Sequence, residues 1–165
     1  PYDVWVRQGL LRTTPGATVN YEYVLTDIME ILDGNEIAAI AFDRWRIDVF
    51  KSAAEKLDIS LPLNPFGQGF KDMAPALEYF AECALTGRLN HGGHPVLTAN
   101  VANAIVVSDP AGNQKFDKDK SNKRGTTRID GAVALAMALG VARRAVGGEV
   151  PVDINDFLAN AIMVR

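Results

Sequence analysis

Two aspartates stand where a chain can make a carboxylate do chemistry. Asp43 closes the apolar run "EIAAIAF" (36–42), and Asp130 opens "DGAVALAMALGVARR". In α/β sheets, chemistry gathers at the carboxyl ends of strands, and Asp43 occupies such an end. Each also has an ordinary reading. Asp43 can be a turn residue accepting amide hydrogen bonds at the start of the next helix, and Asp130 can be an N-cap. One feature favours more for Asp130. The helix behind it is rich in Ala and Gly on several sides, so it can lie close against a sheet and hold its first turn rigidly. Carboxylates brought from separate elements to a sheet edge suit Mg²⁺, a hard ion that takes oxygen ligands and retains water. A pair of such ions about 3.5–4 Å apart would activate a water and stabilise the leaving oxygen of a phosphodiester.

Charge distribution points the same way. The chain carries a net −3 overall, so its bulk charge names no partner. The segment "KFDKDKSNKRGTTR" (115–128) is locally basic, with Lys115, Lys118, Lys120, Lys123, Arg124 and Arg128 against Asp117 and Asp119. That asymmetry is a candidate seat for a polyanion backbone. Asp117 and Asp119, alternating with lysines, read as a solvated, self-neutralising strand or loop. The only histidines, His91 and His94 in "HGGHP", have a surface or structural reading beside one of DNA contact or proton transfer. Cys83 reads as core, Trp45 and Phe66 as packing before base stacking, and Asp109 as a turn residue.

These residues need elements to position them. "YDVWVRQGL" alternates as a strand does, followed by a turn at "TTPGAT". Asn20 caps a helix over "YEYVLTDIMEIL", and 36–42 reads as a strand buried on both faces. A helix over 44–57 follows, then a short strand "ISLPL" cut by Pro62 and an irregular loop "NPFGQGF". "KDMAPALEYFAECALTG" makes a third long helix, with Asp72 as its cap and Gly87 as its stop. "VLTANVAN" reads as a short helix, "AIVVSD" and "QKFDK" as strands around the turn "DPAGN", and Ile129–Ala145 as the last helix. The alternation of strands and helices argues an α/β fold with a mixed sheet flanked by helices. Residues 1–146 read as one domain and 147–165 as a C-terminal tail that packs as a short arm.

Several classes are excluded or disfavoured. No GxxxxGK[ST] phosphate loop, GxGxxG, CxxC or HExxH motif occurs. No apolar run approaches the roughly 18 residues of a membrane span, and the opening "PYDVWVRQGL" is no signal peptide. A single cysteine rules out an internal disulfide and fits a reducing compartment, with cytoplasm as the expectation.

Four segments together carry a resemblance. "AIAFDRWR", "FGQGFKDMAPALEYF", "LTGRLNHGGHPVLTANVANAIVVSDPAGNQKFDKDKS" and "RIDGAVALAMALG", in this order, resemble the C-terminal nuclease domain of the large terminase subunit of tailed bacteriophages. The resemblance covers roughly residues 1–145. It implies a ribonuclease-H-like fold and a two-metal endonuclease, acting in the bacterial host cell, that cuts concatemeric double-stranded phage DNA during genome packaging. The portal and the small terminase subunit are the implied partners of the full-length protein. The family's second acidic ligand falls on Asp43 and its last on Asp130, implying catalytic and Mg²⁺- or Mn²⁺-binding roles for both. The basic segment and the "HGGHP" loop fall where the family approaches DNA. The family's first acidic ligand matches no residue here, so the resemblance implies a domain lacking its first strand or strands. Two other readings stay open: a different ribonuclease-H-like nuclease of the resolvase type, and a nuclease-dead module or prophage remnant that holds DNA or the portal without cutting.

Overall fold

The computed structural model describes residues 2–45, 47–122 and 127–147. The tail expected over 147–165, apart from Gly147, and Lys123 and Arg124 of the basic segment lie outside the described residues. The chain forms two compact units, Pro1–Pro65 and Phe66–Arg165.

The first unit opens with a helix, α1 (Tyr2–Arg7), where the alternation had suggested a strand. The same residues carry a helical signal as well: Tyr2 and Trp5, three apart, pack edge to face with ring centroids 5.3 Å apart. Helix α2 (Tyr21–Leu32) begins as expected at Asn20, whose Oδ1 accepts the Glu22 amide at 2.9 Å. Its inward face buries Leu25 completely. Helix α3 (Ile47–Lys56) packs on α2. The Tyr21 and Phe50 rings meet edge to face at 6.3 Å, and Lys56 Nζ reaches Glu22 at 2.7 Å.

Strand β1 (Ile40–Asp43) is shorter than the apolar run that announced it. It pairs with β2 (Leu63–Phe66), which begins where "ISLPL" had been expected to end. Pro62 explains the shift. Proline has no amide to donate, yet its carbonyl still accepts from the Ile40 amide at 2.8 Å, so it opens the pairing from just outside the strand.

In the second unit, α4 (Phe70–Leu85) buries Met73, Ala74, Ala76, Leu77, Tyr79 and Cys83. Gly69, not Asp72, occupies its N-cap position. Asp72 instead pairs with Arg144 near the end of α7 (Asp130–Gly147). Arg143 Nη1 donates to the Pro75 carbonyl at 2.8 Å, and Tyr79, Cys83 and Leu139 share a core cluster that Leu135 joins. Contacts therefore descend α7 as they ascend α4, so the two helices are antiparallel.

The small residues of α7 do what their size suggested, against helix α4 and against Phe66, the last residue of β2. Ala132 and Ala136 are completely buried. A Cβ on Gly140 would stand 2.7 Å from two ring carbons of Phe66 and 2.9 Å from the Ala76 Cβ. Only a residue without a side chain allows that approach.

Helix α5 (Pro95–Asn103) also packs on α7. Strands β3 (Val106–Ser108) and β4 (Gln114–Phe116) form an antiparallel hairpin with Val106 opposite Phe116 and Ser108 opposite Gln114. The mixed α/β class is as expected. Its described strands form two separate two-stranded sheets.

Candidate functional site

Asp43 ends β1, as anticipated, and is half-buried. Its Oδ1 accepts the Trp45 amide at 3.1 Å, an Asx turn that redirects the chain towards α3. Trp45 itself is 80% exposed, so it is not a packing residue of this unit. The turn role expected for Asp43 is therefore present.

Asp130 departs from its ordinary reading. It is the first residue of α7. The Gly131 amide in that first turn donates to Asn100 Oδ1 at 2.7 Å, so the cap comes from α5. The Asp130 side chain is 69% exposed and faces Lys118, whose Nζ lies 3.8 Å from Oδ1. A carboxylate at a helix N-terminus is favoured by the helix dipole even when it caps nothing. Sequence reasoning missed Asn100, because nothing local marks it as a cap for a helix 31 residues later. The available signal was a polar residue one turn after Leu97 in an otherwise largely apolar segment.

Beside Asp130 lies an open cleft of about 280 Å³, lined by Lys118, Asp119, Asn122, Thr127, Arg128, Ile129 and Asp130. Lys118–Ser121 is a short helix, α6, rather than the solvated strand or loop expected for the alternating charges. Asp117 is its N-cap: Oδ1 accepts the Lys120 amide at 2.9 Å. That amide, foremost, holds the Asp117 carboxyl below the ordinary carboxylate range. Ser121 is buried and pins this segment, donating to the Asp117 carbonyl at 2.6 Å and accepting the Ile105 amide at 2.9 Å.

The basic residues differ in what they face. Lys118 pairs with Asp130, and Lys120 Nζ lies 3.5 Å from Asp117. Lys115 stands 5.0 Å from the centre of the Phe70 ring, a cation–π contact. Arg128 is exposed on the wall of the cleft. The histidines lie elsewhere on this unit. His91 lines a second cleft, of about 400 Å³, with Phe80, Leu89, Leu97, Val101 and Leu135, and its Nδ1 is buried. His94 precedes α5 and serves through its backbone, its carbonyl accepting from the Thr98 amide and hydroxyl.

Exposed carboxylate oxygens suit a hard divalent cation. Among the described residues, no three or more His, Cys, Asp or Glu are grouped as a metal site. No helix among them is long and apolar enough to cross a membrane.

Comparison with known proteins identifies the family. Residues 1–145 match the family model of the terminase large subunit endonuclease domain. The chain is 54% identical over 157 residues to the large terminase subunit of Enterobacteria phage HK97, covering 95% of this chain and 30% of that protein. It is 31% identical over 142 residues to protein YmfN of Escherichia coli K12, covering 84% of this chain and 30% of that protein. A crystal structure of the HK97 large terminase superposes with a TM-score of 0.78 at 55% identity, over 86% of this chain and 29% of that one. The chain thus spans under a third of the length of these relatives. Four segments in a fixed order, a mixed α/β fold shared with a large terminase and a family match over residues 1–145 lead to one conclusion: the chain belongs to the terminase large subunit endonuclease-domain family.

Proposed function

We propose that this chain cuts concatemeric double-stranded phage DNA during genome packaging, as a Mg²⁺- or Mn²⁺-dependent endonuclease with Asp43 and Asp130 as metal ligands. The observation that carries the reading is Asp130. Its helix is capped by Asn100, so its exposed carboxylate is not committed to the cap. Bound divalent ions would lower the pKa of an attacking water and neutralise the departing 3′ oxygen.

The chain's own residues prepare that chemistry. The buried stripe of α7 against α4 fixes the helix that carries Asp130, and the Asx turn fixes the strand end that carries Asp43. Lys118 faces the Asp130 carboxylate at 3.8 Å and would compete with a divalent ion for it. Arg128, Lys115, Lys118 and Lys120, with Lys123 and Arg124, supply sequence-independent contacts to phosphates. His91 and His94 are the less favoured DNA contacts in this reading, given the apolar cleft beside one and the backbone role of the other. The double-stranded DNA, the portal and the small terminase subunit are the partners of the whole protein in a bacterial host cell.

Asp130→Asn in the full-length protein tests this reading. Plasmid cleavage in Mn²⁺ should fall by about 100-fold or more, while the melting temperature stays put because the cap is elsewhere. Normal cutting by that variant removes Asp130 from the site.

A further inference from the structure

We propose that Asn100 is a positioning residue for Asp130, acting through the peptide that joins Asp130 to Gly131. The inference rests on the reading of Asp130 as a metal ligand.

The first amides of a helix have no partner within it and need an outside acceptor. A neighbouring Ser, Thr or Asp normally supplies one, and any of these would stabilise α7. Here the acceptor comes from another helix and is gripped at both ends. Asn100 is 5% exposed; Oδ1 accepts from the Gly131 amide at 2.7 Å, and Nδ2 donates to the Val96 carbonyl at 2.9 Å. The carboxamide plane therefore cannot turn without breaking one bond, and the Asp130–Gly131 peptide is referenced to α5.

Packing tightens the arrangement. A Cβ on Gly131 would meet Asn100 Oδ1 at 3.2 Å and Leu97 Cδ1 at 3.6 Å. The first turn of α7 is held close to α5 by its backbone, and the carboxylate of Asp130 is left 69% exposed. A local cap would fix the helix end alone. This long-range cap also fixes its position relative to a second element, which is what a metal ligand needs.

The test compares Asn100→Ala, Gly131→Ala and Asp130→Asn in the full-length protein, with Cys83→Ala as a core-destabilised control. Mn²⁺ binding is measured by the electron paramagnetic resonance of the free ion, alongside melting and hydrogen exchange at Gly131. Asn100→Ala should weaken Mn²⁺ binding by about 10-fold, as loss of residues that orient metal ligands does. Cys83→Ala should lower melting without changing Mn²⁺ affinity. Parental Mn²⁺ affinity in a folded Asn100→Ala variant makes Asn100 a structural cap only and overturns the proposal. If Asn100→Ala does not fold, Gly131→Ala decides. Its methyl crowds Oδ1, so weaker Mn²⁺ binding supports positioning and parental affinity refutes it. Parental Mn²⁺ binding by Asp130→Asn removes the ligand reading and this inference together. Loss of binding there, with parental affinity in Asn100→Ala, removes this inference alone.

Discussion

Lys118 Nζ lies 3.8 Å from Asp130 Oδ1, an ion pair between α6 and the first residue of α7. Both side chains are about half exposed or more, so the pair adds well under about 1 kcal/mol to stability. Its interest is competition. In the proposed metal site the ammonium would compete with a divalent ion for the carboxylate, and Lys118 also lines the cleft where a phosphate would sit. Lys118→Gln should therefore lower the Mn²⁺ concentration needed for half-maximal cleavage. It should also weaken DNA binding and reduce the magnitude of the log K against log[salt] slope by about 1. Titrations of binding at several salt concentrations check the second effect. A slope and a metal requirement both unchanged would make Lys118 an ordinary surface lysine.

Gly140 marks a close approach between α7 and its neighbours. A methyl there collides with the Phe66 ring and Ala76, and both are packed in the core, where neither can move aside as a flexible surface side chain would. Gly140→Ala gains helix propensity and loses the packing. Overpacking of this kind costs about 1–3 kcal/mol, so chemical denaturation should show a net loss. Phe66→Leu makes room at the same contact. The double variant should consequently lose less than the two single losses added together. Strict additivity would mean that α7 shifts as a whole instead of clashing locally.

These examples show what was legible in the residues and what was not. The Asn20 cap, the strand end at Asp43 and the Asp109 turn depend on neighbours in the chain, and each reads directly from local chemistry. The small-residue surface of α7 was also visible, but its partner was not. Ala and Gly specify a close approach without saying to what, and helix α4 takes most of the place expected for a sheet, with Phe66 at the end of β2 beside it. Asn100 was invisible for a stronger reason. Its hydrogen bond joins residues 31 apart, and a polar residue in a largely apolar segment does not say which helix it caps. The opening strand failed because alternation over a few residues also permits a short helix when aromatic rings fall three apart.

Asp109 gives the hairpin a pH dependence. Its carboxylate accepts from the Asn113 side chain and from the Asn113 and Ala111 amides, each at 2.9 Å. The Asn113 side-chain bond leads the causes that hold its pKa below the ordinary carboxylate value. A depressed folded-state pKa means that the charged form is bound more tightly in the fold than in the unfolded chain. The contribution is then complete above the ordinary carboxylate range and disappears as pH falls through the folded value. A carboxyl carbon resonance titration should place Asp109 lower in the folded chain than in a peptide covering 105–117. Asp109→Ala should flatten the acid side of the stability profile. A peptide-like midpoint in the folded chain contradicts the role assigned to these hydrogen bonds.

Two substitutions at Asp43 separate its turn role from the catalytic role proposed for it. Its Oδ1 accepts the Trp45 amide at 3.1 Å, and an asparagine can offer a carbonyl oxygen in the same place. Asp43→Asn should consequently melt within a degree or two of the parent protein while losing about 100-fold or more in Mn²⁺-dependent cleavage. Asp43→Ala should lose both the turn and the charge, with lower melting and equally poor cleavage. The pair of variants matters more than either alone. If Asp43→Asn retains cleavage and only Asp43→Ala loses it, the turn accounts for the whole contribution of Asp43, and the negative charge plays no part in the reaction.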